Sequence, residues 1–283
     1  MQPTPPPPAP VLLAARSLQM VYGTGPTATH ALAGVDLSIA PAESVAIMGP
    51  SGSGKTTLLH CLAGIVRPTS GSVLWREQDI ASLKDTQRTA LRRSDFGFVF
   101  QSGQLLPELP AVENAALPLM LGGMPRAQAV ATAAVRLGEL GLAGMEDRRP
   151  GELSGGQAQR VAIARALVGS PGVIFADEPT GALDQTTGAE VMAVLTQAAA
   201  RSGAALVVVT HDPTVARWCS RTVAMRDGLV SGEFYAPTGH QPTAPATQQA
   251  TAPSAPQAPA PAPQQAPAPQ QAPAPQQPGG QGR

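Results

Sequence analysis

The most informative stretch of this 283-residue sequence is Gly49–Thr57, which reads GPSGSGKTT. It fits the pattern GxxxxGK[ST], whose small residues let backbone N–H groups converge on phosphate oxygens. The apolar run Ser44–Met48 precedes it and a helix-forming run follows, so a strand, a phosphate-binding loop and a helix are predicted. The predicted nucleotide contacts are Gly49, Pro50, Ser51, Gly52, Ser53, Gly54, Lys55, Thr56 and Thr57, with Lys55 on the terminal phosphates and Thr56 also a ligand of Mg²⁺.

A second signal is the apolar strand Val173–Ala176, which ends in two carboxylates, Asp177 and Glu178. Ligands bind at the carboxyl ends of parallel strands, so both side chains are expected beside the phosphate loop. Asp177 is predicted to hold Mg²⁺ through water, and Glu178 to orient and deprotonate an attacking water. Adjacent acidic residues are common on protein surfaces, and the phosphate loop earlier in the chain is what favours the functional interpretation.

The segments around these motifs predict an α/β fold. Strand-like and helix-like runs alternate, which favours a mainly parallel sheet with helical crossovers. Residues 103–160 interrupt the alternation with an Ala/Leu/Gly-rich stretch that predicts a helical insertion. The predicted strands are 35–39, 44–48, 72–75, 96–100, 173–176, 205–210 and 222–226, and the predicted helices are 55–65, 127–140, 155–168 and 188–200.

Composition sets the domain boundaries. Residues 1–10 hold six Pro, and residues 236–283 hold 13 Pro, one formal charge and the repeat QQAPAP at 264–269 and 270–275. Such segments lack the large apolar side chains that offset the entropy of chain ordering, so both are predicted to be disordered. One ordered domain is therefore expected over 11–235.

Charge and cysteine content exclude several classes of protein. Nineteen basic residues balance nineteen acidic ones, which gives no electrostatic attraction to nucleic acid or to an anionic membrane surface. No run of 18 apolar residues and no signal peptide is evident, so direct membrane insertion and secretion are not expected. Two cysteines cannot form a disulfide framework, and no His/Cys cluster has zinc-ligand spacing.

A third motif, LSGGQ, spans Leu153–Gln157 and opens an apolar-periodic helix. Ser154 stands at an N-cap position, and Gly155 and Gly156 expose backbone donors, so this is a second anion-binding helix terminus. In isolation such a stretch is more often an ordinary capped helix. Because LSGGQ lies between the phosphate loop and the acidic strand, the sequence resembles the nucleotide-binding subunit of an ATP-binding cassette (ABC) protein.

The resemblance implies a fold and a set of site residues. The fold is that of a P-loop NTPase with a mainly parallel sheet, an antiparallel N-terminal β subdomain and the helical insertion at about 103–160. Two copies would sandwich two ATP molecules head to tail, each copy's Ser154, Gly155, Gly156 and Gln157 completing the other's site. The remaining assignments are Tyr22 on adenine, Gln101 on Mg²⁺ and the attacking water, Asp184 across the dimer, and His211 on the γ-phosphate.

Within this family, the sequence most resembles the branch that contains the macrolide-exporter, lipoprotein-releasing and cell-division ATPases. This chain shares with that branch the stretch RSDFGFVFQ at 93–101. It departs from the branch at Ala158, where Gln is usual, and at Ala182, where Asn or Ser is usual. The branch implies a separate integral membrane permease with an extracytoplasmic domain, contacted through a groove near Gln101–Leu109. The chain would then be peripheral, at the cytoplasmic face of the membrane.

The sequence leaves two functions open. One is ATP hydrolysis that energises export or extrusion through the permease, and the other is mechanical regulation of a membrane partner, as in the cell-division ATPase. An importer cassette fits the local matches less well. A soluble ABC ATPase of DNA repair or translation would need further modules that about 220 ordered residues do not provide.

Overall fold

The structure, a computed structural model, describes residues 10–235. The disorder predicted for 1–10 and 236–283 concerns residues that, except for Pro10, lie outside the described range. The described residues form two sheets and a set of helices. The strands are β1 (Leu13–Tyr22), β2 (Thr29–Ile39), β3 (Ser44–Met48), β4 (Ser70–Trp75), β5 (Gln78–Asp79), β6 (Phe96–Phe100), β7 (Val173–Asp177), β8 (Ala205–Thr210), β9 (Arg221–Arg226) and β10 (Leu229–Tyr235).

The larger sheet has six strands in the order β10-β9-β3-β8-β7-β6. Strands β9, β3, β8, β7 and β6 are parallel, and only β10 pairs antiparallel, at the edge. Strand β8 is buried along its whole length, as expected for a central parallel strand covered on both faces. The predicted mainly parallel sheet is confirmed, and its register brings the ends of β3, β7 and β8 to one edge.

The smaller sheet is antiparallel, in the order β2-β1-β4-β5. It confirms the predicted N-terminal β subdomain, although the sequence patterns found only parts of β2 and β4 and missed β1 and β5. Ser17 has a φ of 42°, and the pairing of β1 with β2 shifts register after Ala15. This bulge interrupts the alternation of buried and exposed side chains by which strands are recognised.

The helices are α1 (Lys55–Leu62), α2 (Asp85–Ser94), α3 (Ala111–Leu121), α4 (Arg126–Glu139), α5 (Gly155–Leu167), α6 (Gln185–Ser202) and α7 (Pro213–Ala216). Helices α3 and α4 and the start of α5 form the predicted insertion. Helix α4 buries Ala129, Ala133 and Leu137, which are spaced four residues apart on one face. Helix α2 was missed because it is mostly polar and buries no residue completely.

The core lies on both faces of the six-stranded sheet. On one face Ala46, Ala176 and Val208 pack against the helical insertion and α6. On the other face, residues such as Ile47 and Phe175 pack against α1 and the antiparallel sheet. Among residues 10–235, no helix is both long enough and apolar enough to cross a bilayer.

Candidate functional site

The phosphate loop joins the end of β3 to the start of α1 and is pressed against neighbouring backbone. Gly54 caps α1 with a φ of 94°, and a Cβ atom there would overlap the carbonyl oxygen of Ala31. A Cβ on Gly49 would overlap the carbonyl oxygen of Met225. Both positions therefore require glycine, because any side chain would clash with the neighbouring backbone.

Lys55 and Ser53 each keep a hydrogen-bond donor that a polyanion in the loop could use. The Lys55 side chain is buried, and its Nζ donates to the carbonyl oxygens of Gly49 at 2.9 Å and Pro50 at 2.8 Å, which leaves one N–H of the ammonium. The Ser53 hydroxyl is buried without a hydrogen-bond partner in the described part of the chain. Phosphate oxygens would satisfy this donor, the remaining ammonium N–H and the N-terminus of α1 together.

Thr56 and Asp177 form a second part of the site, where α1 meets the end of β7. Thr56 Oγ1 donates to Asp177 Oδ1 at 3.4 Å. Burial raises the pKa of Asp177, and the nearby Glu178 adds to the rise, whereas His60, Thr56 and Lys55 oppose it. A hydroxyl and a carboxylate are the hard oxygen ligands that Mg²⁺ prefers, and a bound cation would offset the burial of the carboxylate.

The Glu178 side chain is held by residues at the end of β8. Its carboxylate accepts hydrogen bonds from Thr210 Oγ1 at 3.2 Å and from the backbone N–H of His211 at 3.1 Å. The Nδ1 atom of His211 lies 2.7 Å from Glu178 Oε1, so Nδ1 carries the hydrogen when the carboxylate is ionised. Glu178 has a φ of 48°, a strained backbone conformation for a residue with a side chain. The strain and the three contacts fix one carboxylate where the sheet ends.

Gln101 and Tyr22 lie at the margins of this site. Gln101 follows β6, and its side-chain amide packs against the turn after the acidic strand, where a Cβ on Gly181 would lie 2.7 Å from Gln101 Nε2. Tyr22 ends β1 opposite Thr29 and is 43% exposed, so its ring is available for stacking. No hydrogen bond or ion pair within residues 10–235 ties either side chain to the phosphate loop.

The LSGGQ motif forms a separate unit at the start of α5. Ser154 caps the helix in a reciprocal capping box with Gln157, the two N···O distances being 2.9 and 3.3 Å. Asp184 caps α6 alongside, accepting from the backbone N–H of Thr187 at 3.0 Å and from Thr187 Oγ1 at 2.7 Å. These hydrogen bonds lower the pKa of Asp184. The two capped helix ends adjoin, because Gly156 packs against Thr187.

The structure thus divides the predicted residues into two clusters. Residues 49–57 lie with Asp177, Glu178 and His211 at one edge of the sheet, and residues 154–157 adjoin the start of α6, which Asp184 caps. No hydrogen bond or ion pair among the described residues joins the first cluster to the second. Within residues 10–235, the capping hydrogen bonds of the LSGGQ motif stay inside the motif.

Three positioning residues were missed by the sequence analysis. Thr210 is buried between Glu178 and the backbone N–H of Asp212, and Gln159 is buried with its Nε2 donating to the carbonyl oxygen of Phe100 at 2.9 Å. His60 lies one turn after Thr56, and its charge lowers the pKa of Asp177. Thr210 resembles any strand residue, but Gln159 interrupts the apolar face of α5 and could have been found by that signal.

Replacing Gly156 with Ala is expected to destabilise the junction of α5 and α6. The new Cβ would lie 2.6 Å from Thr187 Cγ2, an overlap that costs about 1–3 kcal/mol in packed sites. Adding Thr187→Ser, which removes that methyl group and keeps the hydroxyl on Asp184, is expected to restore most of the loss. Thermal denaturation of the single and double variants measures the coupling.

The matched control for this cycle is Gly138→Ala, at an exposed helical position where a Cβ would meet nothing within 4 Å. That variant is expected to be neutral or slightly stabilising. If Gly156→Ala behaved like Gly138→Ala, or if Thr187→Ser failed to compensate, the close packing of the two helix ends would be refuted.

The sequence is similar to those of known proteins. Residues 32–181 match the profile of the family described as ABC transporter. The chain is 47% identical over 219 residues to the lipoprotein-releasing system ATP-binding protein LolD of Geobacter metallireducens, covering 77% of this chain and 97% of that protein. It is 46% identical over 215 residues to the macrolide export ATP-binding/permease protein MacB of Rhodopseudomonas palustris, covering 76% of this chain and 33% of that protein.

Two solved structures are also similar. A dimeric post-hydrolysis state of the ATP-binding cassette MJ0796 bound to ADP and Pi has 40% sequence identity and a TM-score of 0.72, covering 79% of this chain and 98% of its own. The structure of cbiO1 from Clostridium perfringens, described as part of the ABC transporter complex cbiONQ, has 29% identity and a TM-score of 0.71. It covers 80% of this chain and 88% of its own.

Proposed function

This chain belongs to the ABC transporter family, and from that premise we propose that it binds and hydrolyses ATP to energise a separate membrane permease. The observation that carries the proposal is the Glu178 carboxylate, fixed by Thr210 and His211 at the sheet edge where Thr56 meets Asp177. A fixed carboxylate beside a phosphate loop can take the proton of a water that attacks the terminal phosphate. The family and its relatives support ATP as the substrate.

The residues of this chain would divide the reaction among them. The N-terminus of α1 and the Lys55 ammonium would bind the β- and γ-phosphates, and Tyr22 would stack on the adenine. Thr56, Asp177 and Gln101 would hold Mg²⁺, which when bound neutralises charge on the phosphate oxygens. Glu178 would accept a proton from the attacking water while the water oxygen bonds to the γ-phosphorus. The bond from that phosphorus to the bridging oxygen of ADP would break. His211, held on Glu178, would contact the γ-phosphate.

A single copy would provide only part of this environment. Phosphoryl transfer depends on positioning and on donors around the γ-phosphoryl oxygens, and no hydrogen bond among residues 10–235 joins the LSGGQ motif to the phosphate loop of its own chain. We therefore place Ser154–Gln157 of one copy on the nucleotide bound by the other, in a head-to-tail dimer. The dimeric MJ0796 structure, which is bound to ADP and Pi, supports a dimer of cassettes.

The relatives support a separate membrane subunit. The chain spans nearly the whole of the LolD relative, which is named as the ATP-binding protein of a releasing system, but only a third of the MacB relative, whose name includes a permease. The permease partner would have an extracytoplasmic domain and would contact the cassette near Gln101–Leu109. The chain would then lie peripherally at the cytoplasmic face of the membrane, with transport favoured over mechanical regulation by the names of these relatives.

Membrane fractionation tests the permease. Full-length chain, tagged in its source organism, should sediment with membranes and be released by an alkaline carbonate wash, because it would be held by protein contacts alone. Detergent extraction without the wash should recover it in a complex with one multi-span subunit, identified by mass spectrometry. Recovery of the chain only in the soluble fraction, with no membrane protein attached, would contradict the proposed partner.

A further inference from the structure

The chain turns back immediately after strand β6, and helix α5 lies against this turn. We call residues 100–104 the Gln101 turn, because they present the Gln101 side chain. Gln159 of α5 is 3% exposed, and its Nε2 donates to the carbonyl oxygen of Phe100 at 2.9 Å. The backbone N–H of Gly103 donates to the same oxygen, also at 2.9 Å. Gln159 therefore binds the carbonyl group that closes the turn.

Arg165, in the last turn of α5, holds the end of the Gln101 turn. Its Nη2 donates to the carbonyl oxygen of Gly103 at 2.6 Å, and its Nη1 donates to that of Gln104 at 2.8 Å. A planar guanidinium suits two adjacent carbonyl oxygens, because its donors are fixed in a fork. Two side chains of one helix thus hold the turn by three hydrogen bonds.

The shape of the Gln101 turn depends on these contacts. Gly103 and Gln104 have φ angles of 68° and 46°, and Gln104 adopts this left-handed conformation at a steric cost, because it carries a side chain. A Cβ on Gly103 would lie 3.3 Å from Gln159 Oε1, so the backbone of the turn rests directly on α5. The helix is a firm support, since residues 161–164 are completely buried.

The Gln159 side chain is polar at a place where packing alone would favour an apolar residue. Burying an amide costs free energy unless the amide is hydrogen-bonded. An apolar side chain of the same length would fill the space, but only a donor can hold the carbonyl oxygen of Phe100. The amide of Gln159 is therefore explained by the position of the turn and not by the filling of the core.

Gln101 depends on this turn for the reach of its side chain. Within residues 10–235 its amide makes no hydrogen bond, and it packs against Gly181, where a Cβ would lie 2.7 Å from Gln101 Nε2. The other proposed Mg²⁺ ligands, Thr56 and Asp177, are joined to each other directly. Gln101 is thus the proposed ligand whose position depends most on the backbone that carries it.

We propose that Gln159 and Arg165 are positioning residues that hold Gln101 within reach of the Mg²⁺ in the nucleotide site. Neither side chain touches the nucleotide, and both act through the backbone of the Gln101 turn. This inference rests on the proposed function, because Gln101 is a metal ligand only in that reaction. Loss of either residue should weaken metal binding and leave the phosphate loop intact.

Binding of Mn²⁺ tests the proposal, because Mn²⁺ takes the same oxygen ligands as Mg²⁺ and is visible by electron paramagnetic resonance. The full-length chain is loaded with a non-hydrolysable ATP analogue, kept below the protein concentration so that all of it is bound, and titrated with Mn²⁺. Gln159→Met keeps the length of the side chain but removes its donor. It should weaken Mn²⁺ binding about 3- to 10-fold, the scale of one hydrogen bond, and leave metal-free binding of the analogue unchanged.

A double variant with Gln101→Ala separates positioning from a general effect on the fold. If Gln159 acts through Gln101, Gln159→Met should weaken Mn²⁺ binding no further once the Gln101 amide is absent. Arg165→Met should resemble Gln159→Met, and Arg165→Lys, which keeps a donor, should lose less. Gln197→Met makes the same replacement at an exposed position of α6, so it is the matched control and should bind Mn²⁺ normally.

Three results would overturn the inference and leave ATP hydrolysis standing. They are normal Mn²⁺ binding by Gln159→Met, equal weakening by that change with and without the Gln101 amide, and normal Mn²⁺ binding by Gln101→Ala. If Gln159→Met does not fold, the two Arg165 variants, alone and combined with Gln101→Ala, decide the question in the same way. A wild-type chain that binds neither the analogue nor the metal would instead refute the proposed function.

Discussion

Glu178→Gln is expected to hydrolyse ATP about 10²- to 10⁴-fold more slowly than the wild type while binding ATP with nearly the same affinity. An amide has almost the shape of the carboxylate and its oxygen can still accept from Thr210 and from the backbone N–H of His211. It cannot take a proton from the attacking water. Single-turnover hydrolysis and equilibrium binding of ATP, measured on the same protein, separate the two effects.

The matched control is Glu77→Gln, an exposed residue in the turn between β4 and β5. This variant also removes one negative charge, but from a segment remote in sequence from the acidic strand. It should leave the rate of hydrolysis and the affinity for ATP unchanged. Hydrolysis by Glu178→Gln at close to the wild-type rate would remove Glu178 from its role as general base. Loss of ATP binding together with hydrolysis would instead show that the carboxylate shapes the nucleotide site.

Ser154→Asp is expected to lower hydrolysis about 10²- to 10³-fold, the usual range for losing one transition-state donor. Asp caps a helix as well as Ser does, so the capping box of α5 should survive and thermal stability should change little. The added negative charge would face the phosphates bound by the other copy. Ser154→Asn, which has nearly the same shape and caps equally well without the charge, is the matched control and should lose less activity.

Mixing two inactive variants tests whether the site is shared between copies. Lys55→Ala should be inactive because its own phosphate loop is impaired. Ser154→Asp should be nearly inactive because its added charge impairs the nucleotide site of the partner copy. A mixed dimer would contain one intact site, built from Lys55 of one copy and Ser154 of the other, so the mixture should recover activity that neither protein has alone. No recovery, together with a protein that stays monomeric in saturating Mg-ATP when hydrolysis is blocked by Glu178→Gln, would refute the shared site.

Much of the fold followed from local patterns in the sequence. The strand and helix on either side of residues 49–54, the strand that ends at Asp177 and the parallel sheet were predicted correctly, because each depends on a short run of apolar and small residues. Strand β1 was missed because the bulge at Ser17 interrupts its alternation, and β10 and helix α2 were missed because neither contains a buried residue. Their conformation depends on the neighbouring segments against which they pair.

The sequence by itself determined those residues whose role depends only on the local backbone conformation. Gly54 must adopt a left-handed φ to begin α1, and Ser154 caps α5 through a partner three residues away. Such interactions span one turn of chain, so they hold whatever surrounds them.

Only the tertiary structure decided which of these groups meet. Glu178 and His211 are 33 residues apart, and the order of strands in the sheet places them in contact. Packing also set Gly156 at the start of α5 against Thr187 of α6. Distances between remote segments follow from how sheets and helices pack, because that packing minimises exposed apolar area over the whole domain rather than over any one segment.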